Sequence, residues 1–174
     1  MHQSTNDVFP TALKVACLVL LKELETAVAE LQESLQQKEQ VFAHVVKAAR
    51  TQLMDAVPMT MGMEFGAYAE AISRDRWRVF KSRERIKQVN LGGTAIGTGL
   101  GAPREYVFQV VEELKSVTGL SVSRAENLVD ATQNLDPFVE VAGMLQAMAA
   151  NMLKISSDLR LLASGPGTGL GELG

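Results

Sequence analysis

Apolar residues recur along two stretches of the chain at helical spacing. The first is Leu13, Cys17, Leu20, Leu24, Val28, Leu31 and Leu35, separated throughout by three or four residues. The second is Phe138, Val141, Leu145, Met148, Met152, Ile155, Leu159 and Leu162, where steps of three and four alternate without a slip. Steps averaging 3.5 residues keep one seam of a helix facing its neighbour, the pattern of long packed helices. Asp7 and Pro10 stand where the first helix begins, and a first helical turn tolerates both a negative charge and a missing N–H. Asp136 followed by Pro137 reads as the N-cap and first residue of the other helix. A third candidate carries Phe65, Ile72, Val79 and Ile86 at every seventh position, with Asp75 and Ser82 interrupting the places between. Its polar side is crowded by charges from Arg74 to Lys87 and reads as a solvated face. The spacing therefore predicts main helices over about 7–47, 60–87 and 137–163. Arg104–Thr118, ending before Gly119, and Ser123–Thr132 read as short helices. Strand signals are nearly absent, and Leu91–Leu100 is a loop punctuated by Gly92, Gly93, Gly97 and Gly99.

The fold class is accordingly all-α, a bundle of long helices with short excursion helices and Gly-rich loops. Helices of roughly 27 residues or more reach about 40 Å, whereas a compact domain of this length has a radius of gyration of about 16 Å. The seams want more helices than the chain contains, so either self-association or a longer parent chain is expected. With 174 residues, 47% hydrophobic and 21% charged, the chain suits one ordered domain rather than a disordered segment. Seventeen basic against twenty acidic residues leave a net charge of −3, which argues against a nucleic-acid partner. The longest apolar run, Val15–Leu21, is far short of the about 20 residues a membrane span needs. Ser4, Thr5, Asn6 and Asp7 occupy the place where a secretory signal would be basic. One cysteine, Cys17, excludes an internal disulfide framework and fits a cytoplasmic setting.

Chemistry read from composition alone is sparse. His2 and His44 are the only histidines, and no spacing of Cys, His, Asp or Glu suits a metal. His44, inside a predicted helix, reads as a surface or packing residue. Neither glycine cluster matches a phosphate loop, and no strand–helix–strand unit surrounds either, so no dinucleotide cofactor is expected. No nucleophile elbow is present.

Four segments carry more. Gln3 with Ser4-Thr5-Asn6-Asp7-Val8-Phe9-Pro10-Thr11 resembles the first motif of the aspartase/fumarase superfamily. Arg50-Thr51-Gln52-Leu53-Met54-Asp55-Ala56-Val57-Pro58-Met59-Thr60, with Gly62, Glu64 and Phe65, resembles its second. Val89–Leu100 is similar to the loop after the second bundle helix, and Ser157–Pro166 to the end of the third. All four stand in family order. Gln52, where many relatives place His, is similar to the aspartase branch. Met54 and Met63 stand where relatives usually carry Gln, Ser157 where Asn is usual and Gly167 where Arg is.

The resemblance implies a lyase that reversibly removes ammonia from L-aspartate to give fumarate, working as a homotetramer; no cofactor is expected. A serine base would take the C3 proton, and oriented donors would hold the resulting second negative charge beside the carboxylate. On this chain it implies substrate contacts from Ser4, Thr5 and Asn6, at a helix N-terminus that favours anions, and from Thr51 and Gln52. The alternative for the first trio is an ordinary N-cap, and for the second pair a polar turn at a helix end. The resemblance places the base serine on a loop outside these residues. The chain is then expected to be part of a central helical domain, without the family's N-terminal domain and catalytic loop, and inactive alone. Two further readings stay open: fumarase or another fumarate-releasing member, and a non-catalytic helical interaction scaffold.

Overall fold

The structure is a computed structural model that describes residues 2–174. Its elements in chain order are α1 (Thr5–Val41), β1 (Val46–Thr51), β2 (Met54–Thr60), α2 (Met61–Ile86), β3 (Gln88–Val89), α3 (Arg104–Thr118), β4 (Ser123–Arg124), α4 (Leu128–Gln133) and α5 (Asp136–Leu162). The fold is helical, as the periodicity predicts. The chain divides into two compact units. The first holds the residues up to Glu25 together with Val79–Met144, and the second holds Thr26–Arg78 with Leu145–Gly174.

Four boundaries differ from expectation. The first helix ends at Val41 rather than 47, because Val45 and Val46 are β-branched and take the extended backbone they prefer. His44 therefore sits in an exposed turn instead of a helix. Residues 46–60 form an antiparallel hairpin, the main departure from the strandless expectation. The helix expected over Ser123–Thr132 begins only at Leu128. Ser123 and Arg124 pair in parallel with Gln88 and Val89, and the Asn127 side chain caps α4 by accepting from the N–H groups of Val129 and Asp130. In α5, Leu135 rather than Asp136 supplies the capping carbonyl, accepting from Phe138 and Val139.

In the first unit the core is built from Leu18, Leu21, Val79, Ile86, Val89, Val111 and Val122, all under 6% exposed. The seam of α1 is displaced here. Leu18 and Leu21 turn inward, while Leu13 and Leu20 of the expected stripe are 42% and 63% exposed. Below Leu24 the expected stripe holds, with Val28 and Leu35 buried. Pro10 lies inside α1, so the carbonyl of Asn6, four residues earlier, has no helical donor. The buried Asn90 side chain fills that place, its Nδ2 donating to Asn6 O at 3.0 Å and to Thr132 Oγ1 at 3.0 Å. Gly97, at φ +89°, passes so close to α4 that a Cβ would stand 2.4 Å from the Leu128 carbonyl oxygen.

In the second unit, Phe42 and Phe65 meet at 5.4 Å between ring centres, beside Tyr68. Gly62 lets the start of α2 approach the end of α1: a Cβ there would lie 2.6 Å from the Glu39 carbonyl oxygen. Asp75, expected on a solvated face, is instead completely buried. Asn151 of α5 donates to both its carboxylate oxygens at 3.0 Å, and Arg78 pairs with it at 2.6 Å.

Candidate functional site

The Ser4-Thr5-Asn6 trio opens α1 in the first unit. Ser4 caps the helix in a reciprocal arrangement. Its carbonyl accepts from Val8 N, its Oγ accepts from Asn6 N at 3.2 Å, and its own N–H donates to Asp7 Oδ1 at 2.9 Å. Because the Ser4 oxygen serves as acceptor within the cap, its hydroxyl proton is available to a further acceptor. The Asn6 amide donates to the Ala95 carbonyl at 2.7 Å. Ser4 and Thr5 line an open hollow of about 450 Å³ with His2, Gln3, Thr94 and Leu100.

Asp7 organises this corner. It has no exposure, and besides Ser4 N its carboxylate accepts the N–H groups of Gly92 at 3.1 Å and Thr94 at 3.0 Å. The glycine-punctuated loop is thus clamped to the first turn of α1 by two backbone hydrogen bonds to one carboxylate, which takes a third from Ser4 of the turn itself. The Ser-x-x-acid spacing of a capping box is the sequence signal for Asp7. The loop partners, more than 80 residues away, leave no local signal.

Thr51 and Gln52 lie in the second unit, at the end of β1 and in the turn of the hairpin. Gln52 and Leu53 form a two-residue link with φ of 53° and 64°. Two consecutive positive φ values give the turn that matches strand twist, normally built with Asn-Gly or Asp-Gly. Both residues are exposed. Gln52 lines a pocket of about 490 Å³ with Lys47, Arg50, Met63, Tyr68 and Asp158.

That pocket is walled by alternating charges. Lys47 pairs with Glu64 of α2 at 2.5 Å and with Glu172 at 2.6 Å; Arg50 pairs with Glu172 at 2.5 Å. Tyr68 bridges Glu64 at 3.0 Å and Asp158 of α5 at 3.2 Å, and Lys154 pairs with Asp158. Burial pushes the Glu172 carboxyl up, but hydrogen bonds from Arg50 and Lys47 more than reverse this and hold it below the usual range. Burial would lower Lys47, and its bonds to Glu172 and Glu64 raise it overall. Tyr68 is raised, first by burial and then by Glu64. Among the described residues no group of three or more His, Cys, Asp or Glu is placed to hold a metal ion.

The sequence profile of a lyase family matches residues 1–174. The chain belongs to this lyase family. It is 48% identical over 173 residues to the aspartate ammonia-lyase of Bacillus subtilis, covering 99% of this chain and 36% of that protein. The fold is similar to a fumarate lyase:delta crystallin from Brucella melitensis solved bound to cobalt, with a TM-score of 0.93 and 43% identity over 98% of this chain and 37% of that one. It is also similar to a class II fumarase from Schistosoma mansoni, with a TM-score of 0.84 and 28% identity over 97% of this chain and 39% of that one. The chain thus spans little more than a third of the length of these relatives.

Within this lyase chain, the trio around Ser4 belongs to the first compact unit and the pair around Gln52 to the second. Lys47, Arg50, Glu64, Tyr68, Asp158 and Glu172 were not marked by the sequence as a group. Lys47 and Arg50 stand three apart on a strand, and Glu172 is 125 positions from Lys47, so only folding reveals them as one cluster.

Proposed function

We propose that this chain is the part of an aspartate ammonia-lyase that supplies substrate-binding groups for the reversible deamination of L-aspartate to fumarate. The observation that carries the reading is the 48% identity to the Bacillus subtilis enzyme across 99% of the chain, with Gln52 present in the second motif. Ser4 and Thr5 offer hydroxyls, and Asn6 an amide, to a substrate carboxylate at a helix N-terminus. Thr51 and Gln52 offer a second set of neutral donors. Such donors favour deprotonation beside a carboxylate because they stabilise charge that grows only as the proton leaves. No serine of this chain takes the role of base in this reading; the resemblance assigns it to a loop outside these residues. A partial central helical domain is therefore proposed, inactive by itself.

The parent protein is proposed to assemble with copies of itself as a homotetramer. Phe9, Leu13 and Leu20 leave one face of α1 apolar and 42–63% exposed, and exposed apolar stripes seek partners. A cytoplasmic setting fits the single cysteine. No helix among the described residues is long and apolar enough to cross a membrane.

The test is a hybrid in which this chain replaces the matching segment of the Bacillus subtilis enzyme. Fumarate absorbance is followed with L-aspartate and, separately, L-malate. Turnover of L-aspartate by the hybrid, with none by the 174-residue chain alone, is the expected result. Activity on L-malate only moves the chain to the fumarase branch. A folded hybrid silent on both supports a scaffold, and a monodisperse monomer by light scattering removes the assembly proposal.

A further inference from the structure

The hairpin that carries Thr51 and Gln52 has little of its own to hold it. An isolated two-stranded hairpin is marginally stable in water. Here the pairing is also irregular between Ala48 and Arg50, and β2 is exposed from Met54 to Pro58. The turn adds strain, since a left-handed backbone is unfavourable for a residue with a side chain, and both Gln52 and Leu53 adopt it. Strain of this kind persists only when the surroundings over-determine it.

We propose that Glu172 is a positioning residue for the Thr51–Gln52 turn, its one carboxylate taking both cations of β1 and thereby fixing how the turn is presented. The inference rests on the reading of Thr51 and Gln52 as substrate contacts. Glu172 Oε1 meets Arg50, the residue before Thr51, while Oε2 meets Lys47 three residues further back, across the irregularity between Ala48 and Arg50. Two attachment points on one strand restrain both translation and twist, which a single pair does not. The carboxylate is itself anchored. Glu172 N donates to the Leu162 carbonyl at 2.9 Å, Gly171 N donates to the Ser164 carbonyl at 2.8 Å, and Leu162 at the end of α5 is buried. The side chains are well covered, 8% exposed at Lys47 and 17% at Glu172. Lys47 continues to Glu64, whose partner Tyr68 reaches Asp158. Side chains thus tie the turn to α5 and reinforce its attachment to α2, and among the described residues Glu172 is the one group paired with both basic residues of β1.

The direct test is amide hydrogen exchange on the full 174-residue chain with Glu172→Gln, which keeps shape and removes charge. Exchange at Arg50–Asp55 is expected to accelerate about ten-fold, with Gly92–Thr94 and the middle of α2 unchanged. Unchanged exchange at the turn, or acceleration spread evenly over the chain, overturns the proposal. Should Glu172→Gln not fold, Glu172→Asp is read in the same way, its shorter reach keeping one partner and giving a smaller local effect. In the hybrid enzyme, Glu172→Gln is expected to lower kcat/KM for L-aspartate about ten-fold, with kcat falling because the donors it positions act on charge that grows in the transition state. Combined with Gln52→Ala it should cost less than the sum of the two single losses, since only the Thr51 contact remains to be misplaced, whereas fully additive losses overturn the coupling. If Gln52→Ala leaves kinetics untouched, the substrate-contact reading fails, and the exchange arm still decides the role of Glu172 in holding the turn.

Discussion

Two carboxylates organise the two units, and they do so by opposite means. Asp7 is sealed from solvent and collects three backbone N–H groups. Glu172 is partly solvated and collects two long cationic side chains. A buried N–H fixed in the main chain cannot turn to water when its acceptor is removed, so it carries the full desolvation penalty. Arg50 can swing its charge back into solvent and Lys47 keeps its pair with Glu64, so losing Glu172 costs much less. The first arrangement builds a rigid corner, and the second restrains a segment that retains some freedom.

The largest effect is therefore expected at Asp7. Asp7→Ala leaves the N–H groups of Ser4, Gly92 and Thr94 without their acceptor, and stability should fall by about 3–4 kcal/mol. Asp7→Asn keeps one acceptor oxygen and should fall by less. Urea unfolding of both variants reads the difference. A loss below about 1 kcal/mol for Asp7→Ala, the range of an ordinary surface change, would remove the contrast drawn between the two carboxylates.

Next in size is Gln52→Ala in the hybrid enzyme. Deleting a hydrogen bond to a charged substrate group should cost about 1.5–3 kcal/mol, a ten- to hundred-fold loss in kcat/KM, with the thermal midpoint preserved. Equal kinetics with and without the amide would return Gln52 to a turn residue.

The contrast also explains what could be read in advance. The seam of α5 is legible because its steps of three and four never slip, with Val141, Ile155 and Leu162 all buried, even though Val139 and Leu153 on the opposite side are apolar and exposed. Near its start, α1 is apolar on two faces, so periodicity shows a helix without showing that Leu18 and Leu21 face inward and Leu20 outward. The hairpin hides because Val46-Lys47-Ala48-Ala49-Arg50-Thr51 lacks apolar alternation, and Gln52-Leu53 lacks the glycine or asparagine that marks such a turn. Asp7 was half legible: its spacing from Ser4 is local, whereas its loop partners are set by tertiary structure. The Glu172 cluster had no local signal at all.

A pH titration loosens the hairpin more gently. The Glu172 carboxyl sits below its usual range, so its contribution is present above the unfolded value near 4.5 and is lost as pH falls through the lower folded value. Lys47 is raised above 10.5, so its share is complete below that pH and fades only on going higher. Between these limits the tether is intact. As pH drops below 4.5, amide protection at Arg50–Asp55, corrected for intrinsic exchange, should fall before that in the middle of α2. Simultaneous loss in both segments would tie the hairpin to global unfolding instead of to its own carboxylate.

The smallest expected effect has the opposite sign. The first unit places Gly97 at its positive φ, beside α4, whereas the second places Leu53 at φ 64° with a side chain 74% exposed. Leu53→Gly removes the left-handed penalty of roughly 1–2 kcal/mol and adds a chain-entropy cost of about 0.5–1 kcal/mol. Little burial is lost. The net should be a gain of about 0.5 kcal/mol, visible as a small rise in the urea midpoint with an unchanged slope. The same change frees the turn to explore other backbone states, so kcat/KM for L-aspartate in the hybrid should fall while stability rises. A variant that gains both would show that the left-handed leucine contributes nothing to presenting Gln52. One that loses stability would show that the Leu53 side chain, which lines the same pocket as Gln52, holds the hairpin more firmly than its exposure suggests.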